Sequence, residues 1–386
     1  MNELIEIIKS QIRKNGPITF SKFVELALYH GDYGYYTSGR ERIGKKGDFY
    51  TSPCVHPAFG EIIGRFIKRS SEWVDAKNFT VVEMGAGKGY LALDILDSIK
   101  SNYPELYNNL RYLISETSPA QIEDGKKLLT EHNRIVSWID SISDLENSSV
   151  SGVFLSNELL DSFPFQRVKY IDNEIREIYV GLDNNEFSEI EGRPSFPEVE
   201  DYLETYGLEF LDGQEFEVRT NVKIWLSEIS RILDKGLMLT IDYGFLAPEL
   251  FNSSRMKGTY KCIYKHEIND NPYIHIGEQD ITAHVDFSNL MTMGESVGLE
   301  TIKYTTQGQF LIDWGILDIV ERYLSDEIVA NYQKDMMAIK NLFLPSLMGD
   351  RFKVLIQYKN LEGKKNTFYP NSPLKMSFQS PGDRYQ

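Results

Sequence analysis

Apolar residues at helical spacing open the chain. Leu4, Ile5, Ile8 and Ile12 predict an amphipathic helix from Asn2 to Lys14, stopped by Asn15-Gly16-Pro17. A second helix is predicted from about Ser21 to Tyr29, with Phe20, Phe23, Val24 and Ala27 as its buried stripe. Gly31, Gly34, Gly39, Gly44 and Gly47 then punctuate a Tyr-rich polar loop that reaches Pro53, a glycine density that suits a lid or a ligand-wrapping segment. Ala58 to Trp73 returns to a helical pattern. From Phe79 strands and helices alternate. Phe79–Glu83, Arg111–Ser115 and Gly152–Leu155 are short apolar runs of the buried-strand type, and Lys88–Lys100 and Pro119–Leu129 are helical. That alternation predicts an α/β fold with a doubly wound parallel sheet.

The alternation breaks between Phe165 and Phe216. Phe165–Tyr170 and Glu174–Val180 predict a hairpin around Asp172-Asn173, followed by a charged stretch from Asp183 to Glu204. The core then resumes with a helix at Asn221–Leu233 and a strand at Leu237–Ile241. Two late strands follow at Thr301–Tyr304 and Phe352–Tyr358, with helices between about Phe310 and Leu344. The expected organisation is a helical cap with a lid loop at 1–58, a core at 59–164 and 217–386, and an inserted β-containing subdomain at 165–216.

Composition narrows the class. The 41 basic and 57 acidic side chains leave a formal charge of −16, which disfavours a general nucleic-acid binder and favours basic partners. Cys54 and Cys262 cannot build a disulfide framework. No run approaches the roughly 18 apolar residues of a membrane span. The N-terminus lacks a basic region before an apolar one, so a cytoplasmic protein is expected.

The strongest chemical signal is Val81-Val-Glu83-Met-Gly85-Ala86-Gly87-Lys-Gly89-Tyr90, an apolar strand running through a glycine-rich turn into a helix. Glycines there let a ligand approach the backbone, and the free N–H groups of the helix start face it. The spacing matches neither the dinucleotide fingerprint nor the phosphate loop, because Gly89 stands where the latter needs a hydroxyl. An acid before Gly-x-Gly-x-Gly marks sites for S-adenosylmethionine (SAM), whose amino-acid end needs backbone donors, acceptors and a nearby acid such as Glu83. A ligand-free strand–helix turn is the alternative. Glu116, at the end of the next strand, can accept two hydrogen bonds from vicinal ribose hydroxyls. Trp138 or Ile139 can flank an adenine and Asp140 can meet its amino group, although a core Trp explains the same pattern.

Past the fourth strand, Asn157, Glu158 and Asp161 fall at the mouth of the crevice, where helix capping is the competing reading. Asp242 ends the fifth strand in the same position. Two polar blocks, Gly47–Pro53 and Gly277–Phe287, are hard to explain as surface decoration. No His-x-x-x-His or Cys-x-x-Cys pair exists, so no metal site is expected, and His284 reads equally as a structural histidine.

Taken in order, these blocks resemble one family over nearly the whole chain: the MidA-like class I SAM-dependent methyltransferases, which include the mitochondrial complex I assembly factor that methylates protein arginine. The resemblance is carried by Gly16–Phe20, Tyr33–Tyr36, Gly47–Pro53, Phe59–Glu61, Glu83–Gly87, Ser156–Asp161, Ile241–Gly244 and Gly277–Phe287. Gly31, Cys54 and His56 depart from its usual residues. It implies a Rossmann-like seven-stranded core that binds SAM at Gly85, Ala86 and Gly87 with Glu116 on the ribose. It also implies that Gly47–Pro53, with Asp48, Thr51 and Ser52, closes the cofactor site. The activity it implies is arginine N-methylation of a protein segment, with a homodimer compatible. Glu158, Asp161, Asn157 and Asp242 are the expected catalytic groups, with Asp48 and Glu278 as further acids. A non-catalytic assembly factor and a small-molecule methyltransferase are the alternatives.

Overall fold

The computed structural model describes residues 3–38, 55–325, 332–361 and 368–370. Its strands are β1 (Ile18–Thr19), β2 (Phe79–Met84), β3 (Leu110–Ser115), β4 (Val136–Ile139), β5 (Val150–Asn157), β6 (Gln166–Ile171), β7 (Glu174–Asp183) and β8 (Glu186–Gly192) in the first half. The second half adds β9 (Glu215–Val218), β10 (Leu233–Phe245), β11 (Lys261–Tyr264), β12 (Glu267–Asn269), β13 (Asp280–Thr282), β14 (Val285–Asp286), β15 (Glu300–Thr306) and β16 (Phe352–Lys359).

The central sheet runs in the order β15-β16-β10-β5-β2-β3-β4. The β2–β3, β3–β4, β2–β5 and β5–β10 pairs are parallel, and β16 runs antiparallel to both of its neighbours. Two-residue β14 prolongs the sheet beside the end of β10. Every residue of β2 is buried because helices cover both faces. Its side chains alternate accordingly. Val81, Tyr112, Val153 and Leu239 join the core under the helices Ala58–Val74 and Tyr90–Asn102. Val82, Leu113, Phe154 and Met238 pack on the other face, against Val222–Ile232 and Phe287–Ser296. From β2 the chain winds outward through β3 and β4, then returns to β5 on the opposite side. The strand order therefore reverses between β2 and β5, and a crevice opens at their carboxyl ends.

A second module lies against that end. The N-terminal helices Glu3–Asn15 and Phe20–Tyr29 share a core with Phe165, Val180, Cys262, Ile276 and Ile281. β1 pairs with β7, so the N-terminal segment is built into the inserted sheet rather than lying over it. The charged stretch after Asp183 contains β8, a third strand of the meander, and a helix at Pro197–Glu204. Residues 261–282 also leave the core, as a three-stranded sheet ordered β12-β11-β13. Its β11–β12 turn, Lys265-His266, has both residues at positive φ (50° and 66°), which neither residue type advertises.

Helix Ala58–Val74 crosses Tyr90–Asn102 at Gly60, where an added Cβ would sit 2.3 Å from the Cβ of Asp94. Gly60→Ala is expected to lower the unfolding free energy by about 1–3 kcal/mol, because overpacking outweighs the gain in helix propensity. Urea denaturation midpoints at unchanged slope check this, and a variant as stable as the parent would show that the helices separate freely.

Candidate functional site

The crevice is a cavity of about 470 Å³. Its cofactor-sized half is built by one βαβ unit. After β2 the chain turns through Gly85 (φ +70°), Gly87 (φ +57°) and Gly89 (φ +81°), a left-handed run that residues with a Cβ enter only with strain. The Gly85 N–H donates to the carbonyl of Ser115 at 2.9 Å and pins the turn to β3. A Cβ on Gly85 would meet Leu159 Cδ1 at 2.8 Å, so the floor under the loop is already filled.

Glu116 reaches across this turn. Its Oε2 accepts from the Gly87 N–H at 2.9 Å, and its Oε1 accepts from the N–H groups of Thr117 and Ser118 at 2.8 and 2.9 Å. The carboxylate is therefore locked in orientation while retaining acceptor capacity for hydroxyl groups. Glu83 lies deeper, 3% exposed, and accepts from the Tyr112 hydroxyl at 2.6 Å. Burial pushes its carboxyl up to about 7, with the nearby Glu116 charge adding to the shift. Asp140 lines the far rim beside Ser141 and Ile142. Trp138 does not line the cavity. Its ring lies where a Cβ on Gly125 would be, packed under the helix Pro119–Leu128. Trp138 packs, partly buried, against the core, which accords with the core reading. A glycine cradle, a buried acid and an oriented strand-end carboxylate fit the amino-acid and ribose parts of SAM.

The other half is acidic and tyrosine-walled. Glu158, at φ +52°, accepts from the Tyr243 hydroxyl at 3.0 Å and from Asn157 Nδ2 at 3.3 Å. Asn157 Oδ1 is buried with no hydrogen-bond partner among the described residues. Asp161 is 8% exposed and faces the cavity, with its carboxyl pushed up to about 6 by burial against the opposing pull of Arg219.

Asp242 does not face the cavity. Its Oδ2 accepts from the N–H groups of Leu159, Leu160 and Asp161 at 3.2, 2.8 and 3.4 Å, and its Oδ1 accepts from Tyr243 N–H at 2.8 Å. The expected catalytic role is thus replaced by a positioning one. Glu278 is also absent from the lining. Its neighbour Asp280 takes that place, 1% exposed, and receives the Tyr36 hydroxyl at 3.0 and 2.9 Å. Tyr36 stacks on Tyr29 with centroids 5.4 Å apart, and the Tyr29 hydroxyl meets Ser162 Oγ at 2.9 Å.

Asp280 lies within the Gly277–Phe287 block and Tyr243 within Ile241–Gly244, but sequence reasoning assigned neither of them, nor Tyr29, to the site. Asp48, Thr51 and Ser52, with the rest of Gly47–Pro53, lie outside the described residues. His284 lies off the cavity, its imidazole pushed down to about 4 by burial and held neutral. No cluster of metal-binding side chains occurs among the described residues.

Residues 62–305 match the family described as "Putative S-adenosyl-L-methionine-dependent methyltransferase". The chain belongs to this family. Its cofactor is SAM and its reaction is methyl transfer. A mitochondrial protein arginine methyltransferase, NDUFAF7, from Xenopus laevis is 25% identical, aligned over 96% of this chain and 88% of its own length. The Homo sapiens protein of the same name is 27% identical, over 92% and 83%. A crystal structure from Burkholderia thailandensis bound to S-adenosyl-homocysteine superposes with a TM-score of 0.84 at 25% identity, covering 96% of both chains. A native structure from the same organism gives 0.83 at 26% identity.

Two outcomes follow for the cofactor half of this methyltransferase. Gly85→Val should abolish detectable S-adenosyl-homocysteine binding in titration calorimetry, since a branched side chain meets both Leu159 and a left-handed backbone. Equal affinity in both proteins would remove the glycine loop from the site. The ligand's ammonium is expected to pair with ionised Glu83, whose carboxyl is protonated below about 7 in the free protein. Affinity should therefore fall roughly tenfold per unit as pH drops from 7 towards 5.5. Glu83→Gln should bind weakly and without that slope, and a parallel pH profile in the variant would exclude Glu83.

Proposed function

We propose that this methyltransferase modifies arginine side chains of a protein. The observation that carries the reading is the acceptor half of the cavity, where Glu158, Asp161 and Asp280 converge beside the Tyr29–Tyr36 stack. Lys88 is the one basic residue among the described lining residues, and it pairs with Asp124 at 3.4 Å. Such a pocket favours a planar cation over a neutral or anionic acceptor. The names of the curated relatives support the same choice.

SAM, when bound, supplies a methyl group on a positively charged sulfur. The protein's own residues position the acceptor and manage its charge. A guanidinium is cationic at neutral pH, with its lone pairs delocalised. Carboxylates on the non-reacting nitrogens concentrate charge there and free the third nitrogen for in-line attack. That nitrogen loses a proton as the new N–C bond forms and the S–C bond breaks. Asp161, ionised at neutral pH yet more basic than an ordinary carboxylate, is suited to receive it. Glu158, fixed by Tyr243 and Asn157, is the orienting carboxylate. We further infer a cytoplasmic setting from the cysteine-poor, acidic chain, and a subunit of a respiratory complex I-type enzyme as acceptor from the family resemblance. No described helix is long and apolar enough to cross a membrane.

Mass spectrometry of arginine methylation in cells with and without the gene tests the reading, complemented by Glu158→Gln. That variant keeps the shape and removes the charge. S-adenosyl-homocysteine affinity should survive while arginine methylation falls by roughly 10²-fold or more. Undiminished methylation would remove Glu158 from the mechanism. An unchanged methylarginine inventory after gene deletion would exclude arginine as the acceptor.

A further inference from the structure

Arg219 follows β9 directly and is 6% exposed. Its guanidinium bridges two loops that meet nowhere in sequence. Nη2 donates to the carbonyls of Asp161 at 2.9 Å and Ala283 at 2.6 Å, Nη1 to that of His284 at 2.8 Å, and Nε to that of Phe163 at 3.4 Å. The Ala283 N–H adds a direct tie to the Asp161 carbonyl at 3.1 Å. One loop carries Glu158 and Asp161 into the cavity, and the other carries Asp280.

A buried guanidinium is costly unless its donors are used, and a packed apolar side chain would join two loops at less expense. What the guanidinium adds is a rigid planar fork, which sets both the distance and the angle between the two backbones. It adds charge as well. Asp161 faces this cation inside the protein, and the pull of Arg219 opposes the protonation that burial favours. The charges of Asp161 and Asp280 both reach the phenols of Tyr29 and Tyr36, so the two acids and two rings surround one volume.

We propose that Arg219 is a positioning residue of the methyltransferase, fixing the separation of Asp161 and Asp280 and thereby the affinity for the cationic methyl acceptor. The proposal rests on the arginine reading only for the identity of that acceptor. Arg219 itself reaches neither cofactor nor substrate, since it lies behind the cavity wall.

The test measures acceptor kinetics and cofactor affinity side by side. Tritiated SAM is the donor, and the protein fraction of lysate from gene-deleted cells is the acceptor. Arg219→Lys keeps the charge but loses the fork. Its acceptor KM should rise roughly tenfold or more, with S-adenosyl-homocysteine affinity within about twofold of the parent. Asp280→Asn should also raise the acceptor KM, and Arg219→Lys should cost less in that background than alone, because both changes disable the same contact. An unchanged KM, a joint loss of cofactor affinity, or additive effects of the two substitutions would each overturn the proposal.

If Arg219→Lys does not fold, Thr259→Val carries the test, since Thr259 Oγ1 accepts from His284 N–H at 3.1 Å and restrains the same loop. A raised acceptor KM is then expected, and an unchanged one overturns the role. Label placed by the wild type on a residue other than arginine would discard the arginine reading alone, because the Arg219→Lys comparison still decides the positioning role.

Discussion

The site depends on one buried carboxylate. Asp242, 1% exposed at the end of β10, takes the backbone N–H groups of Leu159, Leu160 and Asp161 onto one oxygen and that of Tyr243 onto the other. Burial and the neighbouring Asp161 charge push its pKa well up, while these backbone donors oppose that rise. Without this acceptor, buried N–H groups would be left unpaired at about 1–3 kcal/mol each. The loop after β5 must therefore curl over the end of β10. That curl lays Leu159 against Gly85, turns Glu158 into a left-handed conformation beside Tyr243, and aims Asp161 into the cavity.

Two structural systems meet across that loop. The cofactor half belongs to the sheet, where reversal of strand order between β2 and β5 leaves a crevice whatever loops are attached. The other half joins Glu158 and Asp161, on the loop after β5, to the second module, which supplies Tyr29 and Tyr36 from the N-terminal segment and Asp280 from β13. These parts are tied closely. A Cβ on Gly277, at φ +76°, would sit 2.4 Å from the Tyr33 carbonyl, so the segment before Asp280 lies directly on the backbone leading to Tyr36. The sheet thus builds the glycine-loop half of the cavity, and the second module closes the half that faces it.

The packing of that module explains its internal order. The hairpin at Asp172-Asn173 and the one at Asn184-Asn185 both turn through two residues at positive φ, which Asn tolerates. The resulting meander buries Val180 on the face shared with the N-terminal helices, and Glu189, opposite Val180 on β8, reaches buried Arg167 and the Tyr273 hydroxyl from that same face. Its aromatic side chains, Phe20, Phe165 and Tyr260 among them, fill the interface with rings at 5.5–6.2 Å.

Sequence alone determined what is local. Val81–Glu83 is legible as a buried strand because a parallel strand covered on both faces must be apolar throughout. Glu83, Gly85–Gly87 and Glu116 were legible because a single βαβ unit brings them together. Where a pattern is ambiguous, as in the charged alternation of β8 or the Lys265-His266 turn, neighbouring strands decided the outcome. Residue type showed that Asp242 and Glu278 were acids at strand or loop ends, but not which way their oxygens point. Only the tertiary structure turned Asp242 under a loop and put Asp280 in the cavity. Tyr36 and Asp280 are 244 residues apart, and the carbonyls gathered by Arg219 are a backbone property that no side-chain pattern records. Short-range periodicity reports burial and chain direction, whereas contacts between distant loops arise only when the whole chain has packed.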